Sequence, residues 1–478
     1  MKKTKIICTI GPASEAEETL KAMCDAGMNV ARLNFSHGSH EEHKKKMDTI
    51  KKVRDELGVP LAIMLDTKGP EYRIGVFKNH KITVEEGQEF TFTTDEIVGD
   101  ETRVSVNYKG FADDLRAGDK ILVNNGLVVC SVKQVSGNDV ITLVEAGGVL
   151  SDKKSMNFPG KVLKNAYLSE QDKEDLLFGI KQDVDYVAAS FVSTKQDAMD
   201  LRNFLDANGG EDIEIIAKIE NRSGVKNITA ISEVVDGIMV ARGDLGVEIP
   251  FMEVPSIQKN LVQKCRLLGK RVIVATEMLE SMITNVRPTR AEISDVANAV
   301  YDGASAVMLS GESASGKYPV EAVRTMAEVV EYTEERINYT KRFKRIEFVN
   351  ESILDAISHS TCQMAIDVDA KCIVVNSLSG LTARMVSRFG SPMPILGTTT
   401  SKKVFHKLAL SWGVVPVLCD EYESLDVLFF HAMIKATKLL NLQIGDRVVL
   451  TGGRIGGKAG NTNMIRVETV QKLHTENA

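Results

Sequence analysis

At 478 residues the chain is longer than one hydrophobic core usually supports, so we expect roughly two to four domains. Its hydrophobic fraction of 43% and charged fraction of 26% are those of soluble globular proteins, which argues against a disordered or fibrous chain. The net charge of -6 gives no general reason to expect nucleic acid or an anionic membrane as partner, but it leaves room for a local basic patch that binds phosphate.

The first 70 residues alternate short apolar runs with amphipathic stretches. The apolar runs KIICTI, NVARLNF and LAIMLDT predict strands, and residues 14–27 and 37–57 between them predict helices. This βαβαβ order predicts a parallel sheet, because parallel neighbours need a crossover connection.

The pattern changes after residue 70. Up to about residue 160 we find only strand-like segments with turn signals, among them KITVEEG, EFTFTT and KILVNNG, which predict an inserted all-β domain. The β/α alternation resumes at 169 and continues to about 336. Helices are predicted at 169–182, 254–268 and 289–301, and strands at DYVAASF, IEIIAKIE, DGIMVA, RVIVAT and AVMLS.

About eight strands result, and this number favours a closed (β/α)8 TIM barrel, with an open doubly wound sheet as the alternative. A charged segment at 337–349 is predicted to be a linker. A second α/β pattern follows, with helices at 351–367 and 424–440 and strands at CIVVNS, MPILGT, VVPVL, RVVLTGG and MIRVETV. We therefore expect a TIM barrel from 1–69 and 161–340, a β-barrel domain from 70–160, and a C-terminal α/β domain from 350–478.

Polar side chains gather at the C-terminal ends of the predicted barrel strands, where barrel enzymes build their active sites. A buried strand is normally apolar, so charge at its end needs a reason. One such residue alone more often just meets solvent, whereas strand after strand with the same feature indicates a shared site. The residues are Arg32, Asn34 and Ser36 on strand two, Asp66 and Thr67 on strand three, and Lys218 and Glu220 on strand five. Arg242 and Asp244 follow on strand six, Thr276 on strand seven, and Ser310 and Glu312 on strand eight.

Two acidic residues end neighbouring predicted strands. The carboxylates of Glu220 and Asp244 can therefore reach one divalent cation such as Mg²⁺ or Mn²⁺. Lys218 lies two residues before Glu220 and points the same way from its strand. A metal ion beside an ammonium group implies a strongly anionic substrate and stabilises charge on a transferring phosphoryl group or an enolate oxygen. Gly243, next to Asp244, permits close approach of the backbone to a ligand.

Two other signals are weak. His37, His40 and His43 are spaced by three along a charged predicted helix, which is more typical of a solvated surface than of a metal site. The segment GGRIGGKAG at 452–460 lacks the spacing of a P-loop, and no Rossmann fingerprint follows a strand. A nucleotide must therefore be held in another way.

The seven cysteines are scattered and form no C-x-x-C pair, which favours a reducing compartment. The first apolar segment is too short for the core of a signal peptide, and no run of about 18 apolar residues is present to span a membrane. We expect a cytoplasmic protein.

The sequence resembles the pyruvate kinase family over essentially its whole length. The matching motifs stand in the family's order, among them MNVARLNFSHG (28–38), LDTKGPEYRIG (65–75), KIENRSG (218–224), DGIMVARGDLGVEIP (236–250), ATEMLESM (275–282) and MLSGESASGKYP (308–319). The resemblance implies transfer of the phosphoryl group of phosphoenolpyruvate to ADP, the last step of glycolysis. Mg²⁺ (or Mn²⁺) and K⁺ would be the cofactors.

Carried over position by position, the resemblance implies roles for individual residues. Phosphoenolpyruvate would be bound by Arg32, Lys218, Gly243, Asp244 and Thr276. Catalytic roles among these would fall to Lys218, Thr276 and Arg32. Mg²⁺ would be held by Glu220 and Asp244, and K⁺ by Asn34, Ser36, Asp66 and Thr67. The nucleotide would meet Asn34, His37, Arg73 and Lys154. Glu71 matches the Glu of potassium-dependent members, so we expect K⁺ dependence.

The resemblance also implies assembly and control. The inserted domain would be a lid that closes on the nucleotide, and the C-terminal domain would bind a sugar-phosphate or nucleotide activator in a homotetramer. A hydroxyl-rich turn that opens a helix suits a phosphate there, with a simple N-cap turn as the alternative. The turn and its basic partners are Ser377, Ser379, Gly380, Thr382, Arg454 and Lys458.

The sequence departs from the family pattern without losing a catalytic group. The departures are Tyr72 and Ile74 around Arg73, Glu277 in place of Gln, Asn124 and Asn125 in place of an acidic pair, and Leu378 and Leu381 in the activator turn. The last two leave the identity of the activator open. Which of Thr276, Ser310 and Glu312 helps to protonate the enolate is also undecided.

Two other functions remain as alternatives. A metal-dependent lyase or aldolase acting on pyruvate enolates would use similar ligands, but it needs no nucleotide clamp such as Arg73 and Lys154. A sugar-phosphate sensor that has lost catalysis would have no use for intact Lys218, Glu220 and Asp244.

Overall fold

The structure is a computed structural model that describes residues 1–161, 163–164, 166–453 and 461–478. Its first part follows the predicted βαβαβ order. The elements are β1 (Lys5–Thr9), α1 (Glu17–Ala26), β2 (Val30–Asn34), α2 (His40–Leu57) and β3 (Ala62–Asp66). A capping box between Ser39 and Glu42 begins α2, and Gly58 in the left-handed conformation ends it.

The inserted domain follows β3. Its elements are β4 (Tyr72–Arg73), β5 (Lys81–Val84), β6 (Glu89–Thr93), β7 (Arg103–Ser105), α3 (Phe111–Asp114), β8 (Lys120–Val123), β9 (Val128–Ser136), β10 (Asp139–Ala146), β11 (Gly148–Ser151) and β12 (Ser155–Asn157). The helical turn α3 corrects our reading of this segment as strands alone: Phe111 is fully buried in the domain core and anchors the turn.

The larger sheet of this domain has the order β4-β12-β8-β9-β10-β6-β7, and β11 pairs with β5. Its two edges meet through backbone hydrogen bonds, from Gly75 N to Ser105 O at 2.8 Å and from Asn107 N to Arg73 O at 3.1 Å. The sheet therefore curls until its first and last strands touch, as in a small barrel.

The β/α alternation then resumes as predicted. The elements are α4 (Glu170–Lys181), β13 (Tyr186–Ala189), α5 (Lys195–Ala207), β14 (Glu214–Ile219), α6 (Arg222–Lys226), α7 (Ile228–Ser232), β15 (Gly237–Ala241), α8 (Arg242–Glu248), α9 (Val254–Leu267), β16 (Arg271–Ala275), α10 (Arg290–Asp302), β17 (Ala306–Leu309), α11 (Gly311–Ala314) and α12 (Pro319–Glu334).

Eight parallel strands close into a barrel in the order β1-β17-β16-β15-β14-β13-β3-β2, which confirms the TIM barrel over the open sheet. The alternating side chains of each strand feed two cores. Ile6 and Cys8 of β1 face the surrounding helices, and Ile7 packs inside the barrel with residues such as Met64 and Met239.

The predicted linker is partly helical, which corrects that reading. Residues Tyr339–Arg345 form α13, and Phe343 is buried in the core of the C-terminal domain. Because one apolar side chain docks there, the segment is fixed in place despite its charged composition.

The C-terminal domain is a five-stranded sheet of order β20-β19-β18-β21-β22 in which only β22 is antiparallel to its neighbour, among the described residues. Its elements are α14 (Ile353–Asp367), β18 (Cys372–Asn376), α15 (Leu381–Ser387), β19 (Ile395–Thr399), α16 (Lys402–Lys407), β20 (Val414–Leu418), α17 (Leu425–Leu440), β21 (Arg447–Gly453), β22 (Thr462–Thr469) and α18 (Lys472–Glu476). None of the helices in the described ranges has the length and apolar character needed to cross a membrane.

This domain closes the N-terminal end of the barrel. Ala409 and Leu410, which follow α16, join the cluster of apolar side chains inside the barrel. The hydroxyl of Tyr186 on β13 donates a hydrogen bond to the carbonyl of Lys407. The opposite end of the barrel, where the strands end, therefore stays open toward the inserted domain.

Candidate active site

A cavity of about 450 Å³ lies at the C-terminal ends of the barrel strands and extends to the inserted domain. It brings together many of the polar residues that the sequence placed at strand ends. The predicted site residues that line it are Arg32, Asn34, Ser36, Arg73, Lys154, Lys218, Glu220 and Asp244.

The carboxylates of Glu220 and Asp244 follow adjacent strands, since β14 and β15 are paired. Glu220 is fully buried, and its Oε2 accepts a hydrogen bond from Phe191 N at 2.6 Å. Its Oε1 forms an ion pair with Nζ of Lys218 at 3.0 Å and has no further donor among the described residues. Asp244 is exposed, and in the described part of the chain its carboxylate has no ion pair. Two neighbouring carboxylates are the kind of oxygen donors that a hard divalent cation takes.

The electrostatic environment of Glu220 also favours a divalent cation at this position. Burial raises the pKa of Glu220 to about 7, and the charge of Asp244 adds to that rise, while Lys218 opposes it. Lys218 alone therefore does not offset the cost of burying this carboxylate beside Asp244. A bound cation would supply further positive charge.

Lys218 is held by three oxygen atoms at the floor of the cavity. Its Nζ lies 2.7 Å from Ser190 Oγ, 3.0 Å from Glu220 Oε1 and 3.2 Å from Asp66 Oδ1. Burial lowers the pKa of Lys218, but Asp66 and Glu220 outweigh that effect and leave it above its ordinary value. The ammonium group is therefore positively charged in a site with little solvent.

Arg32 lies beside this ammonium group. Its Nε donates to Asp66 Oδ2 at 2.6 Å and its Nη1 to Thr9 Oγ1 at 2.8 Å. Burial raises the pKa of Asp66, but Arg32 and Lys218 more than offset this and keep the pKa low. Asp66 thus joins two cations of the site, a role beyond that of the potassium ligand predicted from the sequence.

The loop after β16 has a strained backbone. Thr276 and Glu277 have φ angles of 68° and 54°, in the left-handed region that glycine prefers. Oγ1 of Thr276 accepts a hydrogen bond from Gly243 N at 2.9 Å. Gly243, Asp244 and Glu277 line a second cavity next to the first. The hydrogen bond to Gly243 therefore fixes Thr276 at the edge of this second cavity.

The two connections between the barrel and the inserted domain supply cations on the other wall of the cavity. The first connection carries Arg73 on β4 and the second carries Lys154 beside β12, and these two strands pair with Ser155 opposite Arg73. Arg73 forms an ion pair with Glu71 and donates to Lys153 O at 2.6 Å. Positive charge therefore faces the cavity from both domains.

Other predicted residues lie outside the cavity wall. Thr67 is buried beneath it, where its Oγ1 accepts a hydrogen bond from Ser190 N at 3.1 Å. His37 is exposed, and its carbonyl accepts from His43 Nε2 at 2.8 Å. Both oxygens of Glu312 accept backbone hydrogen bonds, from Leu279 N at 3.0 Å and Ser310 N at 2.7 Å.

The weak histidine signal has a structural explanation. Nε2 of His40 lies 2.6 Å from Asp175 Oδ1, and the ring of His43 stacks on Phe35. The described residues contain no cluster of His, Cys, Asp or Glu with the geometry of a metal site at that helix.

Models of known families match almost all of this chain. The barrel-domain model of pyruvate kinase matches residues 1–323, and the alpha/beta-domain model of pyruvate kinase matches residues 355–468. The chain belongs to the pyruvate kinase family. It is an enzyme of the pyruvate kinase type, a phosphotransferase whose reactants are phosphoenolpyruvate, ADP, pyruvate and ATP.

Individual members of the pyruvate kinase family are similar to nearly the whole of this chain. The pyruvate kinase of Clostridium acetobutylicum is 47% identical over 473 residues, which cover 98% of this chain and 100% of the relative. That of Bacillus licheniformis is 46% identical over 473 residues, 98% of this chain and 81% of the relative. The crystal structure of a pyruvate kinase from Cryptosporidium parvum superimposes with a TM-score of 0.93 at 35% identity and covers 98% of this chain and 96% of that one.

The turn expected to bind an activator opens α15 in the C-terminal domain. Ser379 Oγ accepts a weak hydrogen bond from Leu381 N at 3.4 Å, and Gly380 has a φ of 78°. The hydroxyl of Thr382 is buried and hydrogen-bonded to Thr462 at 2.5 Å, so it faces the protein. Arg454 and Lys458 lie outside the described residues.

Ser190 is a site residue that the sequence analysis missed. Its Oγ donates to Thr67 O at 2.6 Å and accepts from Lys218 at 2.7 Å, and its carbonyl accepts from the hydroxyl of Tyr167 at 2.8 Å. Ser190 follows β13, the fourth barrel strand. The rule applied to the other strand ends would have found it.

Proposed function

We propose that this cavity transfers the phosphoryl group of phosphoenolpyruvate to ADP with the help of Mg²⁺ and K⁺, as the last step of glycolysis. One observation carries the proposal: a buried, charged Lys218 lies 3.0 Å from Glu220 at the floor of a cavity whose opposite wall bears Arg73 and Lys154. Phosphoryl transfer depends on positioning and charge stabilisation, and this arrangement offers both.

Mg²⁺ is assigned to Glu220 and Asp244. The buried carboxylate of Glu220 and the exposed carboxylate of Asp244 on the adjacent strand fit a cation with oxygen ligands. When bound, such an ion neutralises and orients phosphoryl oxygens.

The chain's own cations would act on the transferring group. Lys218 and Arg32 would bind the phosphoryl oxygens, because Ser190 and Asp66 fix their positions before substrate arrives. Gly243 and Thr276 would hold the rest of phosphoenolpyruvate at the edge of the site. Preorganised donors of this kind cost no reorganisation during the reaction.

The inserted domain is proposed as a lid over the nucleotide. Arg73 and Lys154 at its hinges would bind the phosphates of ADP, together with Asn34 and His37 of the barrel. Closure would exclude water that otherwise hydrolyses the phosphoryl group. A lyase would have no use for these hinge cations, which favours the kinase.

K⁺ is assigned to Asn34, Ser36, Asp66 and Thr67. Asn34 and Asp66 are register neighbours on β2 and β3, which supports a shared ion. Glu71 would add negative charge near it. Burial raises the pKa of Glu71, but Arg73 and Lys68 outweigh this and keep it low, so the carboxylate is charged.

We further assign the catalytic domain to residues 1–69 and 161–340, the lid to 70–160 and an effector-binding domain to 350–478. A phosphate-bearing activator would bind at Ser377, Ser379 and Gly380, in a cytoplasmic homotetramer, whereas the buried hydroxyl of Thr382 would support this turn through Thr462. The resemblance to the family supports this organisation.

The test is pyruvate formation from phosphoenolpyruvate and ADP. We expect turnover that needs ADP, a divalent metal and K⁺. Folded protein that forms no pyruvate under these conditions would contradict the proposal, and pyruvate formation without ADP would favour a lyase.

A further inference from the structure

A separate small cavity lies at the N-terminal end of the barrel, opposite the candidate active site. Its volume is about 40 Å³, and it lies between Arg271 at the start of β16, Arg342 on α13 and Arg384 on α15. One water molecule needs roughly 10–15 Å³ by the same measure, so the space is that of a small anion. Residues of both the barrel and the C-terminal domain line this cavity.

The charge of this cavity is one-sided. Among the described residues, six cationic side chains line it and no carboxylate does. We call them the basic cluster: Arg266, Lys270, Arg271, Arg342, Arg384 and Arg388.

Carboxylates outside the cavity neutralise the charge of three side chains of the basic cluster. Three members have carboxylate partners that do not line the cavity: Arg271 with Glu214 at 2.5 Å, Arg384 with Asp236 at 3.0 Å, and Arg388 with Asp355 at 2.8 Å. These pairs fix the side chains in place. Donors remain: Nε of Arg384 and Nε of Arg388 are buried with no hydrogen-bond acceptor in the described structure.

The other half has no carboxylate within ion-pair distance in the described ranges. Arg266 donates to the carbonyls of Arg388 at 3.0 Å and Phe389 at 3.1 Å. Lys270 donates to the carbonyl of Val235 at 2.8 Å, and Arg342 donates to the carbonyl of Asp302 at 2.9 Å. Burial lowers the pKa of Arg266 to about 9, and the nearby charge of Arg342 lowers it further. Uncompensated charges of this kind cost stability unless an anion joins them.

The backbone is shaped to hold two of these guanidinium groups. Gly303 and Gly390 have φ angles of 99° and 66°. A Cβ at Gly303 would lie 2.5 Å from Nη2 of Arg342, and one at Gly390 would lie 2.5 Å from Nη2 of Arg266. Any side chain at either position would displace a member of the cluster.

We propose that the basic cluster binds a tetrahedral oxyanion, either inorganic phosphate or the phosphate group of a phosphorylated metabolite. Guanidinium groups match such an anion because each offers paired N–H donors. The anion contacts Arg266 and Lys270 of the barrel, Arg342 of α13, and Arg384 and Arg388 of the C-terminal domain. It therefore ties the two domains together at the end of the barrel away from catalysis.

The test is thermal unfolding of the full chain in phosphate and in chloride at equal ionic strength. A ligand that binds only the folded state raises Tm, so phosphate raises the Tm of the natural chain by several degrees. In Arg266→Gln and Arg342→Gln this rise is lost. Without phosphate both variants melt at or above the natural chain, since each lacks one unpaired cation. Lys270→Gln, which changes a half-buried side chain, repeats the test.

Two controls separate this site from others. Arg336→Gln removes an exposed guanidinium near α13, and Arg73→Gln removes a cation of the active-site cavity. Both keep the phosphate-dependent rise. A Tm that does not respond to phosphate, or a rise that persists in Arg266→Gln and Arg342→Gln, overturns the proposal.

A second titration distinguishes the two sources of the anion. Glycerol 3-phosphate is compared with inorganic phosphate in the natural chain and in Arg342→Gln. A rise with both compounds that Arg342→Gln abolishes assigns the site to phosphate monoesters. A rise with inorganic phosphate alone assigns it to the free anion.

Discussion

Lys218 donates a hydrogen bond to Ser190, with 2.7 Å between Nζ and Oγ, and Ser190 packs against Gly69 at the start of the lid hinge. Gly69 has a φ of 70°, and its N–H donates to Oδ1 of the buried Asp172 at 3.0 Å. One contact thus links the position of the hinge to the position of the ammonium group. Movement of Gly69 would therefore shift Ser190 and change the position of the Lys218 ammonium group.

Gly69→Ala tests this link. A Cβ at Gly69 would lie 2.8 Å from Cβ of Ser190, so Ser190 must shift and Lys218 loses a hydrogen-bond partner. We expect a fall in kcat of about tenfold, the rate equivalent of one weakened hydrogen bond. Steady-state kinetics with phosphoenolpyruvate and ADP measures it.

Gly58→Ala is the matched control. Gly58 has a similar φ of 63° but no atom within 4 Å of the added Cβ. Both variants should lose roughly 1–2 kcal/mol of stability from the left-handed backbone, and Gly58→Ala should keep its kcat. Equal kcat in the two variants would show that the hinge contact does not reach Lys218.

Lys218→Ala should lower kcat by on the order of 10²–10³, because a preorganised charge at the transferring phosphoryl group is lost. Lys226→Ala, which removes an exposed ammonium from α6, serves as the control. Rapid-quench measurement of a single turnover places the loss in the chemical step. A variant with near-normal turnover would refute the role given to Lys218.

The strand ends explain why most of the site could be predicted. A charged group at the end of a buried strand is costly unless a site needs it, so Arg32, Lys218 and Glu220 stood out without any structure. Ser190 also follows a barrel strand and could have been found by the same rule, but the sequence does not show what it contacts. Its importance lies in contacts with Thr67 and Lys218, which are distant in sequence.

Tertiary contacts also account for the errors in the fold. The segment around Phe343 looked like a linker since its charges mask one apolar anchor, and the anchor matters only where the C-terminal domain provides a pocket. The insertion of Leu410 into the barrel is likewise invisible in the sequence, where an apolar residue after a helix fits any core. The local sequence pattern predicts helices and strands, whereas packing between domains determines which apolar side chains dock and where.

Glu220→Gln should weaken Mg²⁺ binding at least about tenfold to a hundredfold, because it removes one anionic ligand and keeps the shape of the side chain. Calorimetric titration of the substrate-free protein with Mg²⁺ alone measures the affinity. Glu233→Gln changes an exposed carboxylate that pairs with Lys195, and it should bind Mg²⁺ as the natural chain does. Equal affinity in all three proteins would remove Glu220 from the metal site.

Potassium should raise the rate by about tenfold over tetramethylammonium at equal ionic strength. The reason is electrostatic: a small cation near Asp66 and Glu71 adds positive charge beside the phosphoryl group, and about 1.4 kcal/mol of stabilisation corresponds to that factor. Pyruvate formation at saturating Mg²⁺ measures it. A rate that ignores K⁺ would contradict the assignment based on Glu71.

His406 should make the protein less stable in acid. Burial lowers the pKa of His406 from 6.5 to about 4, with a further contribution from the charge of Arg54. The unfolded chain therefore binds this proton near pH 6.5, while the folded chain stays neutral to about pH 4. The contribution to stability is complete above pH 6.5 and is lost as the pH falls toward 4. The Tm of the natural chain relative to His406→Gln should drop across that window, whereas His80→Gln, which changes an exposed histidine of the lid, should track the natural chain. A pH-independent difference between the natural chain and His406→Gln would contradict this account, since only a proton taken up on unfolding links stability to pH.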